Sequence, residues 1–167
     1  MSPAWPVPDT PAPHQESVWD YPRPPRVETT DETVEIRLGG VLIAHSTRAL
    51  RVLETSHPPT YYLPVEDFVP DVLRAVSGSS WCEFKGAAVY FDVVVGPVLA
   101  KRAAWTYPDP TPSFEDLVGH VAVMPAEMDE CTVNGEVVLP QEGGFYGGWV
   151  TSRVAGPFKG GPASHGW

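Results

Sequence analysis

The sequence lacks the features that mark several large classes of protein. Its only two cysteines, Cys82 and Cys131, are too few for a disulfide framework and form no Cys-x-x-Cys zinc knuckle. Eleven Lys and Arg residues against 21 Asp and Glu give a net charge of −10, which excludes nucleic-acid binding by phosphate neutralisation. No run approaches the roughly 18 apolar residues of a membrane span, and the first residues do not resemble a secretion signal. We therefore expect a cytoplasmic protein of one domain, without a membrane, metal or cofactor.

Proline and glycine are abundant, and they concentrate at the two ends. Eight of the 20 prolines lie in the first 25 residues, where they prevent a helix or a central strand. Eight of the last 25 residues are glycine, interleaved with aromatic side chains. We predict a proline-rich arm over residues 1–25, a compact domain over 26–142 and a glycine- and aromatic-rich arm over 143–167. Trp19 and Tyr21 suggest that the first arm docks onto a surface.

The compact region is dominated by signals for β-hairpins. Gly39-Gly40, Gly96-Pro97 and Asn134-Gly135 are pairs that supply the positive φ of two-residue turns, each between strand-like segments. Helical signal is weak and limited to residues 113–119 and 65–76. The pattern predicts a mainly β, antiparallel domain with one or two short helices.

Two-residue turns fix which side chains of a hairpin face each other. In the first hairpin this register places Val34 opposite His45, which we interpret as an ordinary residue of the rim. In the second hairpin one face is aliphatic and belongs to the core, except for Arg102. On the other face, Asp92 and Lys101 are predicted to form an ion pair.

Beyond that ion pair, aromatic and small residues alternate on the same face. The rings are Tyr90, Trp105 and Tyr107, and the small residues are Gly86, Ala88 and Ala103. Large rings beside small residues leave hollows that suit a ligand, although the rings could instead pack beneath the terminal arms. Alternation turns Lys85 away from Tyr90 unless Gly86 forms a bulge. Lys85 is then either a surface charge or an anchor for an anionic or carbonyl group.

Residues 81–90 (WCEFKGAAVY) and 103–110 (AAWTYPDP) resemble the core signature of the bacterial and fungal family known as domain of unknown function 427. Residues 57–64 (HPPTYYLP) and 121–125 (VAVMP) support the resemblance, which extends over about residues 16–161. It implies a β-tent-like fold, in which antiparallel sheets meet like the sides of a tent. That fold group resembles, at a distance, the thalidomide-binding domain of cereblon and methionine sulfoxide reductase B.

Two properties of such relatives do not transfer to this sequence. Several relatives hold zinc with Cys-x-x-Cys knuckles, whereas here Cys82 and Cys131 would have to meet two distant histidines. The family also carries a nucleotidyltransferase-like label. The sequence has neither a phosphate-binding loop nor an Asp-x-Asp pair for magnesium, so it gives that label no support.

Three hypotheses for the function follow. The favoured one is a module that binds an unknown small molecule in an aromatic-walled pocket. Its predicted residues are Trp81, Tyr90, Trp105 and Tyr107 as walls, Lys85 as the polar anchor and Tyr62 at the rim. The second is an enzyme that acts on a small metabolite through Cys82 or Lys85. Acid–base roles for Glu66, Asp67 or Asp109 compete with their ordinary use in turns. The third is an assembly role, in which the terminal arms pair two copies as a homodimer.

Overall fold

The structure, a computed structural model, describes residues 5–167, which form fifteen β-strands and four short 3₁₀ helices. The strands are β1 (Glu16–Ser17), β2 (Arg26–Thr29), β3 (Val34–Leu38), β4 (Val41–Ser46), β5 (Leu50–Leu53), β6 (Thr60–Pro64), β7 (Leu73–Cys82), β8 (Gly86–Val95), β9 (Val98–Thr106), β10 (His120–Val123), β11 (Glu130–Val133), β12 (Glu136–Val137), β13 (Leu139–Pro140), β14 (Trp149–Val150) and β15 (Val154–Ala155). The 3₁₀ helices span Val18–Asp20, Val65–Asp67, Pro112–Leu117 and Pro125–Glu127. The predicted mainly β class is confirmed.

Two antiparallel sheets contain most of the strands. The larger has seven strands in the order β2-β5-β6-β10-β9-β8-β7, and the smaller has four in the order β12-β11-β3-β4. Two short sheets pair β13 with β14 and β1 with β15. The β1–β15 pair is parallel, and every other strand pair of residues 5–167 is antiparallel, as predicted.

The main hydrophobic core draws its side chains from both larger sheets. Ile36 of the smaller sheet is fully buried in the same cluster as Leu63 and Val93 of the larger sheet. A second cluster covers the opposite face of the larger sheet, because successive side chains of a strand point to opposite faces. Tyr61 thus belongs to the main core, whereas its neighbour Tyr62 belongs to the second cluster.

All three predicted two-residue turns are present. They pair Leu38 with Val41, Val95 with Val98 and Val133 with Glu136. In the third turn Asn134 and Gly135 have φ values of 49° and 81°, as a type I′ turn requires. The turn residues therefore determine where each hairpin reverses.

The register of the first hairpin departs from the prediction after the turn. A β-bulge beyond Arg37 shifts the pairing by one residue, so that His45 lies opposite Glu35 instead of Val34. His45 is exposed, which agrees with its interpretation as a residue of the rim.

The second hairpin is irregular over a longer stretch. The pairing follows the prediction as far as Val93 with Ala100 and then shifts by two residues. A shift of two keeps each side chain beyond the irregular stretch on its predicted face. Tyr90 consequently lies directly opposite Trp105 and not opposite Ala103, as the regular register predicts.

Arg102 lies in the irregular stretch, and its conformation shows that two predictions are wrong. Its φ is 50°, and its backbone N–H donates to Asp92 Oδ1 at 2.8 Å. Asp92 thereby binds the backbone, and it forms no salt bridge with Lys101. The Arg102 side chain does not point to the core face; its guanidinium lies 4.4 Å from the centroid of the Tyr90 ring.

The predicted short helices are 3₁₀ helices. Pro112–Leu117 stands where residues 113–119 were predicted to be helical, and Val65–Asp67 is the helical part of residues 65–76. The end of that second segment, residues 73–76, is not helical and belongs to β7. Within residues 5–167, no helix has the length and apolar composition needed to cross a bilayer.

The terminal segments pack against the same chain. The indole Nε1 of Trp19 donates to the Pro157 carbonyl at 2.9 Å, next to the β1–β15 pair. Trp149 is fully buried, with its ring centroid 5.0 Å from that of Tyr61 in the main core. The predicted proline-rich arm begins in residues 1–4, which lie outside the described residues.

Candidate functional site

A cleft of about 610 Å³ opens beside the second hydrophobic cluster. All six residues singled out in the sequence line it: Tyr62, Trp81, Lys85, Tyr90, Trp105 and Tyr107. They come from β6, the end of β7, the turn that follows, β8, β9 and the residue after β9. The larger sheet therefore gathers residues that are up to 45 positions apart in the sequence.

Three of these aromatic residues form a connected group that extends from the floor of the cleft to its wall. The Trp105 indole Nε1 donates to the Tyr62 hydroxyl at 3.1 Å, and the two rings meet edge to face with centroids 6.4 Å apart. The Tyr107 ring is also 6.4 Å from that of Tyr62. Tyr62 is only 2% exposed, so it lies at the floor, which corrects its predicted place at the rim. Burial raises the pKa of both tyrosines well above the ordinary value, so their hydroxyls are neutral.

Tyr90 forms one wall, and polar groups hold it. Its hydroxyl hydrogen-bonds to Ser80 Oγ at 2.6 Å across the β7–β8 pair. The Arg102 guanidinium covers the ring, and its Nη1 donates to the Ser77 carbonyl at 3.0 Å. The irregular stretch of β9 thus brings a cation to the cleft and places it over an aromatic face.

Lys85 lies in the turn between β7 and β8, half-buried beside two rings. Its Nζ is 5.8 Å from the Tyr107 centroid and 5.9 Å from the Phe114 centroid. Gly86, with a φ of 105°, has a backbone conformation that strict strand alternation does not include. The β7–β8 pairing is regular at Gly86, so the predicted bulge is absent there. Lys85 reaches the cleft because it lies in the turn, where strand alternation does not apply.

Two large aromatic side chains at the edge of the cleft face solvent. Trp81 is 73% exposed and Phe145 is 80% exposed. Tyr146 stands next to Phe145, with ring centroids 4.9 Å apart. Exposed rings beside a cleft are available to contact a ligand that enters it.

The C-terminal segment supplies one side of the cleft that sequence reasoning missed. Gln141, Tyr146, Gly147 and Lys159 all line it. The sequence left open whether the rings of the second hairpin pack beneath the terminal arms. In the structure Gly147 lies against Trp105, and the cleft remains open beside them.

His57, also missed, is held in one protonation state by its neighbours. The Gln141 amide Nε2 donates to the Lys159 carbonyl at 2.7 Å and lies 3.1 Å from His57 Nδ1, while its Oε1 accepts from the Gly148 N–H. These backbone partners fix the orientation of the amide, so Nδ1 accepts and the imidazole proton is on Nε2. Burial, followed by the charges of Lys159, Arg23 and Lys85, lowers the pKa of His57 to about 4.

A family model matches residues 26–134, and the family is described as a domain of unknown function (DUF427). The chain belongs to the DUF427 family. The resemblance found in the sequence is therefore confirmed. A comparison with curated proteins found no match.

The matched region of this DUF427 domain holds only part of the cleft. The six predicted residues, together with His57 and Arg102, fall within residues 26–134. Gln141, Tyr146 and Lys159 fall outside it. The cleft thus combines the family domain with the segment that follows it.

The predicted origin of the open space is wrong in one respect. Ala88 is 2% exposed and lies in the second cluster with Tyr107 and Phe114, so protein atoms fill the hollow expected beside it. Ala103 is buried in the main core. Tyr90 and Trp105, which lie opposite each other, form one wall of the cleft, called here the Tyr90–Trp105 wall. The open volume lies between this wall and the C-terminal segment.

The candidate groups for covalent or acid–base chemistry do not all lie at the cleft. Cys82 is half-buried and lines the cleft, whereas Cys131 is buried in the main core. Glu66 and Asp67 form salt bridges with Arg48 at 3.2 and 3.0 Å and do not line the cleft. Within residues 5–167, no three His, Cys, Asp or Glu side chains form a group that could hold a metal ion.

Proposed function

We propose that this DUF427 protein binds a small molecule in the cleft, with aromatic side chains as walls and Lys85 as a polar anchor. The observation that carries the proposal is the convergence of Lys85 with the Tyr90–Trp105 wall on one cleft. Its volume of about 610 Å³ lies within the range of roughly 300–1,000 Å³ typical of small-molecule sites. A cytoplasmic location is part of the proposal, and it is supported by two free cysteines.

Fluorine NMR of the protein labelled with 5-fluorotryptophan tests the proposal. Trp81 and Trp105 line the cleft, whereas Trp5 is 70% exposed and does not. A set of bicyclic aromatic compounds, added one at a time, is expected to shift the resonances of Trp81 and Trp105 and to leave that of Trp5 unchanged. Resonances are assigned by single Trp→Phe substitutions.

A matched pair of exposed tryptophans provides the control. Trp81→Ala is expected to weaken binding of the shifting compound about tenfold, because stacking on an aromatic side chain contributes about 1 kcal/mol or more. Trp5→Ala removes a ring of similar exposure away from the cleft and should leave the affinity unchanged. Equal effects of the two substitutions, or no shift at the cleft tryptophans with any compound, would contradict the proposal.

Catalysis at the same cleft is the second candidate function. Cys82 and Lys85 both line the cleft, which supports an enzyme that uses a thiol or a lysine next to the bound molecule. Incubation of the protein with the metabolites that co-purify with it, followed by mass spectrometry, would detect turnover. Loss of turnover in Cys82→Ser with unchanged ligand affinity would favour the enzyme; unchanged turnover would exclude the thiol.

A further inference from the structure

The basic residues of this acidic protein are distributed unevenly. The chain has three lysines, and two of them, Lys85 and Lys159, line the cleft, whereas Lys101 is exposed outside it. Six of the eight arginines form salt bridges with Asp or Glu side chains: Arg23, Arg26, Arg37, Arg48, Arg51 and Arg153. Among the described residues, five basic side chains form no such bridge: Lys85, Lys101, Lys159, Arg74 and Arg102. Three of those five line the cleft.

Two of these three side chains have only neutral partners. The Arg102 guanidinium uses a backbone carbonyl and an aromatic ring, and Lys85 lies over aromatic rings. These partners leave the charges of Lys85 and Arg102 without a compensating anion. The Lys159 Nζ, by contrast, donates at 3.2 Å to a main-chain oxygen of Trp167, the last residue, whose terminal carboxylate is negatively charged.

Glu54 is the one carboxylate among the residues that line the cleft, and it already has partners. Its Oε2 lies 3.4 Å from Arg23 Nη2 and 3.5 Å from His57 Nε2. His57 is neutral, so it changes the charge of the cleft in neither direction. The cleft therefore has an excess of positive charge in a chain of net charge −10.

We propose that the ligand is an aromatic acid: a planar ring system that carries a carboxylate, sulfonate or phosphate group. This inference rests on the proposed function, and it adds the charge of the ligand. The ring system packs against the Tyr90–Trp105 wall, and the anionic group binds to Lys85, while Arg102 and Lys159 add positive charge to the same cleft. The cations disfavour a positively charged ligand, although aromatic rings alone would suit one.

Three naphthalene derivatives with the same ring and different charges test the inference. They are 2-naphthoate, 2-naphthamide and 2-naphthylmethylammonium, titrated by calorimetry at pH 7 up to millimolar concentration. The naphthoate is expected to bind about ten to a hundred times more tightly than the amide, because hydrogen bonds to charged groups are the stronger ones. The ammonium compound is expected to bind least tightly.

Lysine variants assign the preference to the cleft. Lys85→Met and Lys159→Met keep most of the apolar side chain and remove its charge, and each should lower the ratio of naphthoate to amide affinity at least threefold. Lys101→Met is the matched control at an exposed site and should leave the ratio unchanged. Far-UV circular dichroism verifies that each variant is folded.

The outcomes separate this inference from the proposed function. Equal or tighter binding of the amide or the ammonium compound would overturn the preference for an acid and leave small-molecule binding intact. If Lys101→Met lowers the ratio of naphthoate to amide affinity as much as the two cleft variants do, the preference does not arise in the cleft, and the inference is overturned. Failure of all three compounds to bind would count against both the inference and the proposed function.

Discussion

The backbone of Gly147 packs directly against the six-membered ring of Trp105. A Cβ atom built at Gly147 would overlap Trp105 Cη2 and come within 3.0 Å of Cζ2. The indole is itself tied to Tyr62 through Nε1, so it has little freedom to move aside. The C-terminal segment and the wall of the cleft are thus fitted to each other at this glycine.

Gly147→Ala is therefore expected to destabilise the protein and to displace Trp105. Overpacking of this kind costs about 1–3 kcal/mol in the free energy of unfolding. Urea denaturation measures the loss, and the fluorine resonance of Trp105 reports the displacement. Gly161→Ala is the control, because its Cβ would meet only the flexible Glu142 side chain at 3.1 Å. Equal effects of both substitutions would argue against a tight fit at Gly147.

His57 predicts a stability that depends on pH. Its pKa is lowered to about 4, chiefly by burial, whereas a histidine in the unfolded chain has a pKa of about 6.5. Between these values the unfolded chain binds a proton that the folded chain does not, so stability decreases as the pH falls. The loss between pH 6.5 and pH 5 is expected to reach about 2 kcal/mol.

Denaturation at pH 7, 6 and 5 measures this loss, and His57→Asn supplies the comparison. The variant should be less stable at pH 7 and should show a smaller decrease over the same interval. Long-range proton–nitrogen spectra of the folded protein are expected to show the proton on Nε2. An unchanged pH dependence in the variant, or a proton on Nδ1, would contradict the assigned state of His57.

The burial of Arg51 predicts that this arginine contributes more to stability than Arg26 on the neighbouring strand. Its side chain is inaccessible to solvent and donates to Glu16 at 2.9 Å and to Glu28 at 2.9 Å. Arg51→Met would leave both carboxylates without this cation and should cost about 3 kcal/mol in the free energy of unfolding. Arg26, largely exposed and paired with the same Glu28 at 3.2 Å, provides the control.

Arg26→Met should cost less than about 1 kcal/mol, because solvent screens exposed ion pairs. Chemical denaturation of the two variants at pH 7 gives the comparison. Equal losses in the free energy of unfolding would show that burial does not increase the contribution of Arg51 to stability.

The features that local chemistry controls could be predicted from the sequence. Asn134-Gly135 and the other turn pairs each permit only a few backbone conformations, so the hairpins were predicted correctly. The register near each turn follows from the turn itself. The bulges at Arg37 and Arg102 depend on packing and on a side-chain bond to the backbone, and no local pattern predicts them.

The residues of the cleft also divide into those that local patterns predict and those that depend on long-range contacts. Tyr90, Trp105 and Tyr107 could be placed together because a shift of two residues preserves the face of a strand. His57 and Lys159 could not be placed, because they are held by contacts between distant segments: His57 contacts Gln141, 84 positions away, and the Lys159 N–H donates to the Ser56 carbonyl, 103 positions away. Such long-range contacts leave no periodic signal in a single sequence.

Trp149 predicts that the C-terminal segment is required for the fold. It is fully buried in the main core, and its backbone N–H donates to the Pro59 carbonyl at 2.8 Å. Trp149→Ala should cost about 3–5 kcal/mol, the usual cost of removing a large buried ring. A chain that ends at residue 142 loses this ring entirely, and we expect it to be unfolded or aggregated when examined by circular dichroism and light scattering.

Trp149→Phe separates the role of the ring from that of the indole nitrogen. The buried Nε1 has no hydrogen-bond partner among the described residues, so its removal breaks no bond, and the phenyl ring still fills most of the space. The loss should therefore be clearly smaller than for alanine, whereas Trp5→Ala, at an exposed ring, should change stability by less than about 0.5 kcal/mol. A truncated chain that folds with unchanged stability would show that the core closes without residues 143–167. The cleft, which has Tyr146 and Lys159 on one side, would then be an addition to the domain and not part of its core structure.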